Sequence, residues 1–201
     1  MDYLELSLEG LHHENIKLAK KIEASYRPDI VVYIAKGGYL IGKDIADYFE
    51  IPCIGIHAER EGNAFKSSVA GVLSKMPRFL TKFLRELELK SGLHKTVKER
   101  KVYWDLSNTS DKNLEKAHHV LLVDDSVDTG YSMKQVIPFI EAQTSPNVEI
   151  QLAAINVWLK SINVIQTDFY IYENVILSTP MSNDSSYHKK FLDLYDNRYN
   201  Q

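Results

Sequence analysis

Apolar residues fall into two textures along this chain. In one, they run unbroken for four to seven positions, as in Val120, Leu121, Leu122 and Val123, or Ile30, Val31, Val32, Tyr33, Ile34 and Ala35. Runs of that length predict strands buried on both faces, the signature of a parallel sheet. In the other, they recur at helical spacing: Met133, Val136, Ile137 and Ile140, or Leu40, Ile41, Ile45, Ala46 and Phe49. A polar or glycine-rich turn separates each strand from its helix. Strands are predicted over 29–35, 53–57, 101–106, 120–123, 148–159 and 168–172. Helices are predicted over 7–26, after Gly38, over 77–89, after Gly130, and over 185–197. Leu11, Ile16, Leu18, Ala19 and Ile22 give the first helix an imperfect stripe, and Pro28 stops it. Phe191 and Leu194 are expected to close the last helix onto the core. Strand–turn–helix repeats of this kind specify an α/β fold with a mainly parallel sheet flanked by helices.

Two of the turns carry chemistry. After Val123 come Asp124, Asp125, Ser126, Val127, Asp128, Thr129, Gly130, Tyr131 and Ser132. Successive N–H groups from 128 to 132, at a helix N-terminus, suit a phosphate, and the Thr129 and Ser132 hydroxyls add donors. Gly130 removes a side chain where backbone and phosphate approach. Asp124 and Asp125 repel phosphate but suit hydroxyls, or a hydrated Mg²⁺ beside them. A phosphate at one end and a diol at the other describe a sugar phosphate. In the second turn, Lys36 supplies charge while Gly37 and Gly38 let amides crowd an anion. A sharp turn after a core strand would also place polar residues at 124–132. So would a phosphoacceptor receiver domain, but only 76 residues follow Asp125, and it leaves Thr129 and Gly130 unexplained.

Charge changes the picture at one place. The chain has a net charge of −3, which gives no general pull toward nucleic acid. Residues 75–101, however, hold nine basic and three acidic side chains, a local +6. Three readings compete there: a packed helix with a solvated basic face, a border of the site that draws in an anionic substrate, and a surface helix that meets anionic lipid or an anionic partner. No apolar stretch reaches 18 residues, so no membrane span is expected. Cys53 is the single cysteine, which excludes an internal disulfide. The opening residues lack the basic and apolar regions of a signal peptide, and a cytoplasmic location is the default expectation. His12 and His13, near the start of the first helix, are expected to be solvated. A single domain over 1–201 is the simplest organisation.

The 120–130 run, with its apolar strand, two acidic residues and a Thr-Gly pair, resembles the phosphoribosyl-diphosphate (PRPP) motif of type I phosphoribosyltransferases. Lys36-Gly37-Gly38-Tyr39 resembles the diphosphate-binding loop of the hypoxanthine-guanine and xanthine members. The resemblance covers roughly 30–57 and 101–184. It implies a twisted, mainly parallel sheet with a small C-terminal hood over 160–184, and leaves 58–101 as a basic helical insertion or flexible loop. It implies PRPP and a small-molecule base as partners, Mg²⁺ as cofactor, and a homo-oligomer. PRPP contacts would come from Lys36, Gly37, Gly38, Asp124, Asp125, Ser126, Asp128, Thr129, Gly130, Tyr131 and Ser132. Mg²⁺ would sit near Asp124 and Asp125 through ribose hydroxyls or water. Asp128 is the implied general base, and Lys36 shares the catalytic role. Lys160, Ile176, Leu177 and Asp184 would meet the base, Lys160 at its exocyclic oxygen. A surface lysine that merely ends a strand is the plainer reading of Lys160. Ile176 stands where the family usually stacks an aromatic ring, a departure that weakens the assignment of the base. The same resemblance places a cis peptide at Lys36–Gly37. Two other functions fit: a transferase of this fold with a different, amphiphilic acceptor, and a non-catalytic regulator that senses PRPP.

Overall fold

The computed structural model describes residues 3–60, 100–105 and 114–198. In chain order, the strands are β1 (Tyr3–Glu5), β2 (Ile30–Ile34), β3 (Cys53–Arg60), β4 (Arg100–Trp104), β5 (His119–Val127), β6 (Glu149–Val157), β7 (Phe169–Glu173) and β8 (Ile176–Ser178). The helices are α1 (Leu8–Glu23), α2 (Tyr39–Phe49), α3 (Tyr131–Glu141) and α4 (His188–Asp196), with a short 3₁₀ turn at Leu159–Asn163. Two compact units divide the chain, Met1–Ala58 with Val102–Gln201, and Glu59–Lys101. Residues 61–99, including the helix expected over 77–89, lie outside the described residues.

Six strands form the main sheet in the order β4-β3-β2-β5-β6-β7. The pairs β2/β3, β2/β5, β5/β6 and β6/β7 are all parallel. Each unbroken apolar run therefore has a face against helices on both sides. Val31, Tyr33, Leu121, Val123, Ala153 and Ile155 pack with α1, α2 and α4. Val32, Ile34, Val120, Leu122, Leu152 and Ala154 pack with α3 on the other side. The chain moves from β2 to one neighbour, β3, and from β5 to the opposite one, β6. The carboxyl ends of β2 and β5 thus flank the point where the winding reverses, the place where open α/β sheets leave a crevice.

Several expectations shift in detail. Helix α1 starts at Leu8 with the Ser7 hydroxyl accepting from the Gly10 N–H (3.0 Å), and ends at Glu23 rather than near Tyr26. Tyr26 instead turns into the core, where its hydroxyl lies 2.9 Å from the Glu149 carbonyl and 3.2 Å from that of Val120. Ile16 is only partly buried. Asn15 takes the inward position, donating to Asp44 Oδ2 on α2 (2.7 Å). This amide–carboxylate link thus replaces one apolar rung of the stripe. His12 and His13 are exposed, with His12 Nδ1 3.0 Å from Asp44 Oδ2. In α4 the residue that closes onto the core beside Phe191 is Tyr195, while Leu194 is exposed. One helical step of 100° separates the two. The hood contains an element the pattern did not signal: β1 pairs in parallel with β8, setting Tyr3 beside Ile176 and Leu4 beside Leu177.

Candidate active site

Register places the two chemical turns side by side. Tyr33 pairs with Val123, so the turn that leaves β2 at Ala35–Gly38 lies level with Asp124 and Asp125 on the neighbouring strand. Gly38 tucks beneath: a Cβ there would fall 2.6 Å from the Val123 carbonyl oxygen. Gly37 meets the acidic pair, since a Cβ on it would lie 2.7 Å from Asp125 Oδ1 and 3.2 Å from Asp124 Oδ1. Glycine is required at both positions by contact between the loops, in addition to any freedom it gives the backbone. The cis peptide of this turn joins Ala35 to Lys36, one bond earlier than the resemblance implied at Lys36–Gly37.

Strand β5 runs on to Val127, so Asp124, Asp125 and Ser126 stand on a paired strand rather than in a free loop. Asp124 faces Ala154 in register and Ser126 faces Asn156. Local bonds fix the carboxylates. Asp125 N–H donates to Asp124 Oδ1 (2.9 Å), and Ser126 N–H donates to Asp125 Oδ1 (2.8 Å). Burial and the neighbouring Asp125 charge hold the Asp124 carboxyl well above the usual carboxylate range; burial also raises Asp125. Two crowded acids of this kind form a site short of positive charge, which suits a polyol or a hydrated cation. Among the described residues no group of three or more His, Cys, Asp or Glu side chains is arranged to hold a metal directly. Asp124 and Asp125 offer carboxylate oxygens, the hard donor type that suits Mg²⁺ with its water shell.

Beyond Val127 the chain bends through Asp128 and Thr129 to Gly130, the N-cap of α3, at φ 78°. Both Asp128 and Thr129 are exposed, and the Ser126 hydroxyl donates to Asp128 Oδ1 (3.0 Å). Gly130 has a reason the sequence did not show. A Cβ there would fall 2.4 Å from Ile165 Cγ2, because the chain after the 3₁₀ turn packs against this bend. The first-turn N–H groups of α3, at Tyr131 and Ser132, point out of the helix start and are available to an anion.

On the neighbouring strand, Trp158 N–H donates to the Val127 carbonyl (3.1 Å), which brings the end of β6 level with the start of the Asp128–Gly130 bend. Lys160 is exposed in the 3₁₀ turn, its Nζ 5.5 Å from the Trp158 ring centroid. Ile176 is 42% exposed on β8, whereas Leu177 alternates inward and packs on the core. Asn174, at φ 57°, ties the hood to this edge by accepting from the Leu159 N–H (3.0 Å). Asp184 is exposed in the turns before α4.

Four residues near the Lys36 turn carry no signal in the sequence. Asp105, just after β4, donates its N–H to the Gly55 carbonyl (2.8 Å). Its carboxylate receives Arg198 Nη2 at 2.9 Å and lies 3.6 Å from His57 Nε2. Tyr195 Oη is 3.4 Å from the same oxygen. These residues come from three distant segments, and no local pattern joins them.

A family model, the phosphoribosyl transferase domain, matches residues 7–175. No curated relative matches the sequence. Among solved structures, the chain is similar to a purine phosphoribosyltransferase from Pyrococcus horikoshii (TM-score 0.58, 17% identity, 91% of this chain and 95% of that one). It is similar to a xanthine-guanine-hypoxanthine phosphoribosyltransferase from Helicobacter pylori (0.59, 14%, 95% and 99%). An adenine phosphoribosyltransferase from Thermoanaerobacter pseudethanolicus also matches (0.52, 11%, 82% and 81%). At these identities the structures speak for the fold; the family rests on the domain match, and by that match the chain belongs to the phosphoribosyl transferase domain family, as an enzyme of phosphoribosyl transfer.

Proposed function

We propose that the protein transfers the 5-phosphoribosyl group of PRPP to a ring nitrogen of a 6-oxopurine and releases diphosphate. The observation that carries this reading is the contact of Gly37 with Asp124 and Asp125, which makes one crevice of the two turns. The phosphate of PRPP would rest on the amides of 129–132 with the Thr129 and Ser132 hydroxyls. Asp124 and Asp125 would accept from the ribose hydroxyls. Lys36 and the Gly37 amide would face the diphosphate, while the Gly38 N–H, expected to join them, is donated to the Ile34 carbonyl (2.8 Å) and holds the turn instead. Mg²⁺, held beside Asp124 and Asp125 through hydroxyls and water, would supply positive charge to the departing group.

The chain's own residues then have distinct tasks. As the bond from C1 to the diphosphate lengthens, positive charge grows on the ribose ring and negative charge on the leaving oxygens. Lys36 and the Gly37 amide would meet the second. Ser126 holds Asp128 by a hydrogen bond to Oδ1, which leaves Oδ2 to take a proton from the incoming base. Lys160 would meet the exocyclic oxygen, where charge gathers as the ring nitrogen attacks. Ile176 would cover one face of the base.

A second acceptor class is supported by the rim. Leu159 and Ile162 are 48% and 58% exposed in the 3₁₀ turn, which the Leu159 N–H joins to Asn174, two residues before the 42% exposed Ile176; apolar groups there suit an acceptor less polar than a purine. The test is a product assay with Mg²⁺–PRPP and hypoxanthine, guanine, xanthine or adenine, run beside a thermal-shift panel. The proposal predicts PRPP stabilisation and a nucleotide product with at least one 6-oxopurine. PRPP stabilisation with no product from any base would favour the apolar acceptor or a PRPP-sensing role. A working cytoplasmic enzyme of purine salvage, and a homo-oligomer, are the cellular setting this function implies.

A further inference from the structure

The C-terminal helix reaches the Lys36 turn through one aromatic side chain. Lys36 Nζ lies 5.3 Å from the centroid of the Tyr195 ring. Tyr195 is itself buried and held from several directions. The Tyr39 ring meets it edge-on at 5.2 Å, and Phe191 lies 5.7 Å away. The Arg198 guanidinium sits 3.7 Å from its centroid, with that charge paired to Asp105 at 2.9 Å. Tyr39 opens α2, and its N–H donates to the Lys36 carbonyl (3.2 Å), closing the same turn. A rigid ring thus stands against the turn, and the exposed lysine lays its ammonium on it.

We propose that Tyr195 is a positioning residue for Lys36, preordering its ammonium for an anionic group with the charge of a diphosphate. This rests on the reading of the 36–38 turn as the diphosphate site. The physical reason is entropic. A lysine with a free stem loses rotamer freedom when it grips an anion, whereas one already resting on a π face has lost part of it beforehand. The electron-rich ring attracts the ammonium without neutralising it, so the charge stays available, as it would not in an ion pair.

The test has two arms. In the first, lysines are dimethylated with ¹³C-formaldehyde, which keeps their charge, and the Lys36 signal is assigned with Lys36→Arg. The ring current of Tyr195 should shift that signal upfield in ligand-free wild type. Tyr195→Leu should return it to the position of solvated lysines, and Tyr195→Phe should keep it. In the second arm, diphosphate and Mg²⁺–PRPP are titrated calorimetrically. Tyr195→Leu should weaken both by about two- to five-fold, Tyr195→Phe should not, and Tyr195→Leu should have no effect in a Lys36→Ala background. An equal loss in that background would mark Tyr195 as merely structural and overturn the proposal. So would an unshifted Lys36 signal in a wild type that binds both anions. A wild type that shows the shift yet binds neither anion would defeat the diphosphate reading itself. Should Tyr195→Leu fail to fold, the wild-type signal and the Tyr195→Phe titration decide the matter.

Discussion

Gly37 lies directly against Asp125, so close that a single added carbon would sit 2.7 Å from the carboxylate oxygen. That contact joins the turn after β2 to the end of β5. Replacing Gly37 with Ala should therefore press the two apart. An overpacking cost of about 1–3 kcal/mol is expected, together with weaker PRPP binding. Gly42→Ala makes a similar clash, 2.8 Å from Tyr33 Cβ, but within the core. Chemical denaturation should find both variants destabilised, while PRPP titration should find a disproportionate loss only for Gly37→Ala. Equal PRPP affinity of the two would separate Gly37 from the site.

Gly130 faces two demands at once, φ 78° and the Ile165 methyl group 2.4 Å from its would-be Cβ. Gly130→Ala should cost about 2–4 kcal/mol from strain plus clash. Combining it with Ile165→Ala should recover the clash and leave roughly 1 kcal/mol of backbone strain. A double-mutant cycle in urea reads this directly. Strict additivity would mean that Ile165 does not restrict this bend.

Asp125 and Asp128 should separate kinetically. Asp125→Asn removes an acceptor for the ribose hydroxyls and should raise KM for PRPP by about ten-fold, the value of one charge-assisted hydrogen bond. Asp128→Ala should lower kcat by about 10²–10⁴, the usual contribution of a general base, with KM for PRPP little changed. Steady-state kinetics on both variants would show the roles to be misassigned if the two effects were exchanged.

Cys53 gives a pH-dependent signature remote from the chemistry. It sits at the start of β3 against the core, and burial pushes its thiol up to about 12. The folded state therefore keeps its proton where an unfolded thiol, at roughly 8.5, has released it. Its stabilising effect is complete below about pH 8.5 and is lost as pH climbs toward 12. Wild type should lose stability over that window relative to Cys53→Ala, and native protein should resist iodoacetamide at pH 8. Fast alkylation without unfolding would contradict the burial of this thiol.

The fold and the site were not equally legible in the sequence. Residues 30–34 and 120–123 are buried on both faces, so their composition alone declared a parallel sheet. The Asp124 to Ser132 and Lys36 to Gly38 turns could be singled out because their polar and glycine residues are contiguous in the chain. Leu194 was mistaken for Tyr195 since a tyrosine with a buried ring and a hydrogen-bonded tip reads as polar or apolar with equal ease. The three-residue strand β1 has no periodicity to detect. The meeting of Asp105, His57, Tyr195 and Arg198 is tertiary. Gly130 was rightly marked as special, but Ile165, 35 residues on, supplies part of the reason.

Where each end of PRPP lies in the crevice between β2 and β5 is the most direct test of the proposed site. A crystal structure with PRPP and Mg²⁺ should find the 5-phosphate on the amides of 129–132. The ribose hydroxyls should meet Asp124 and Asp125, and the diphosphate should lie against Lys36, Gly37 and Gly38. PRPP bound in the reverse sense, or outside the crevice between β2 and β5, would contradict it.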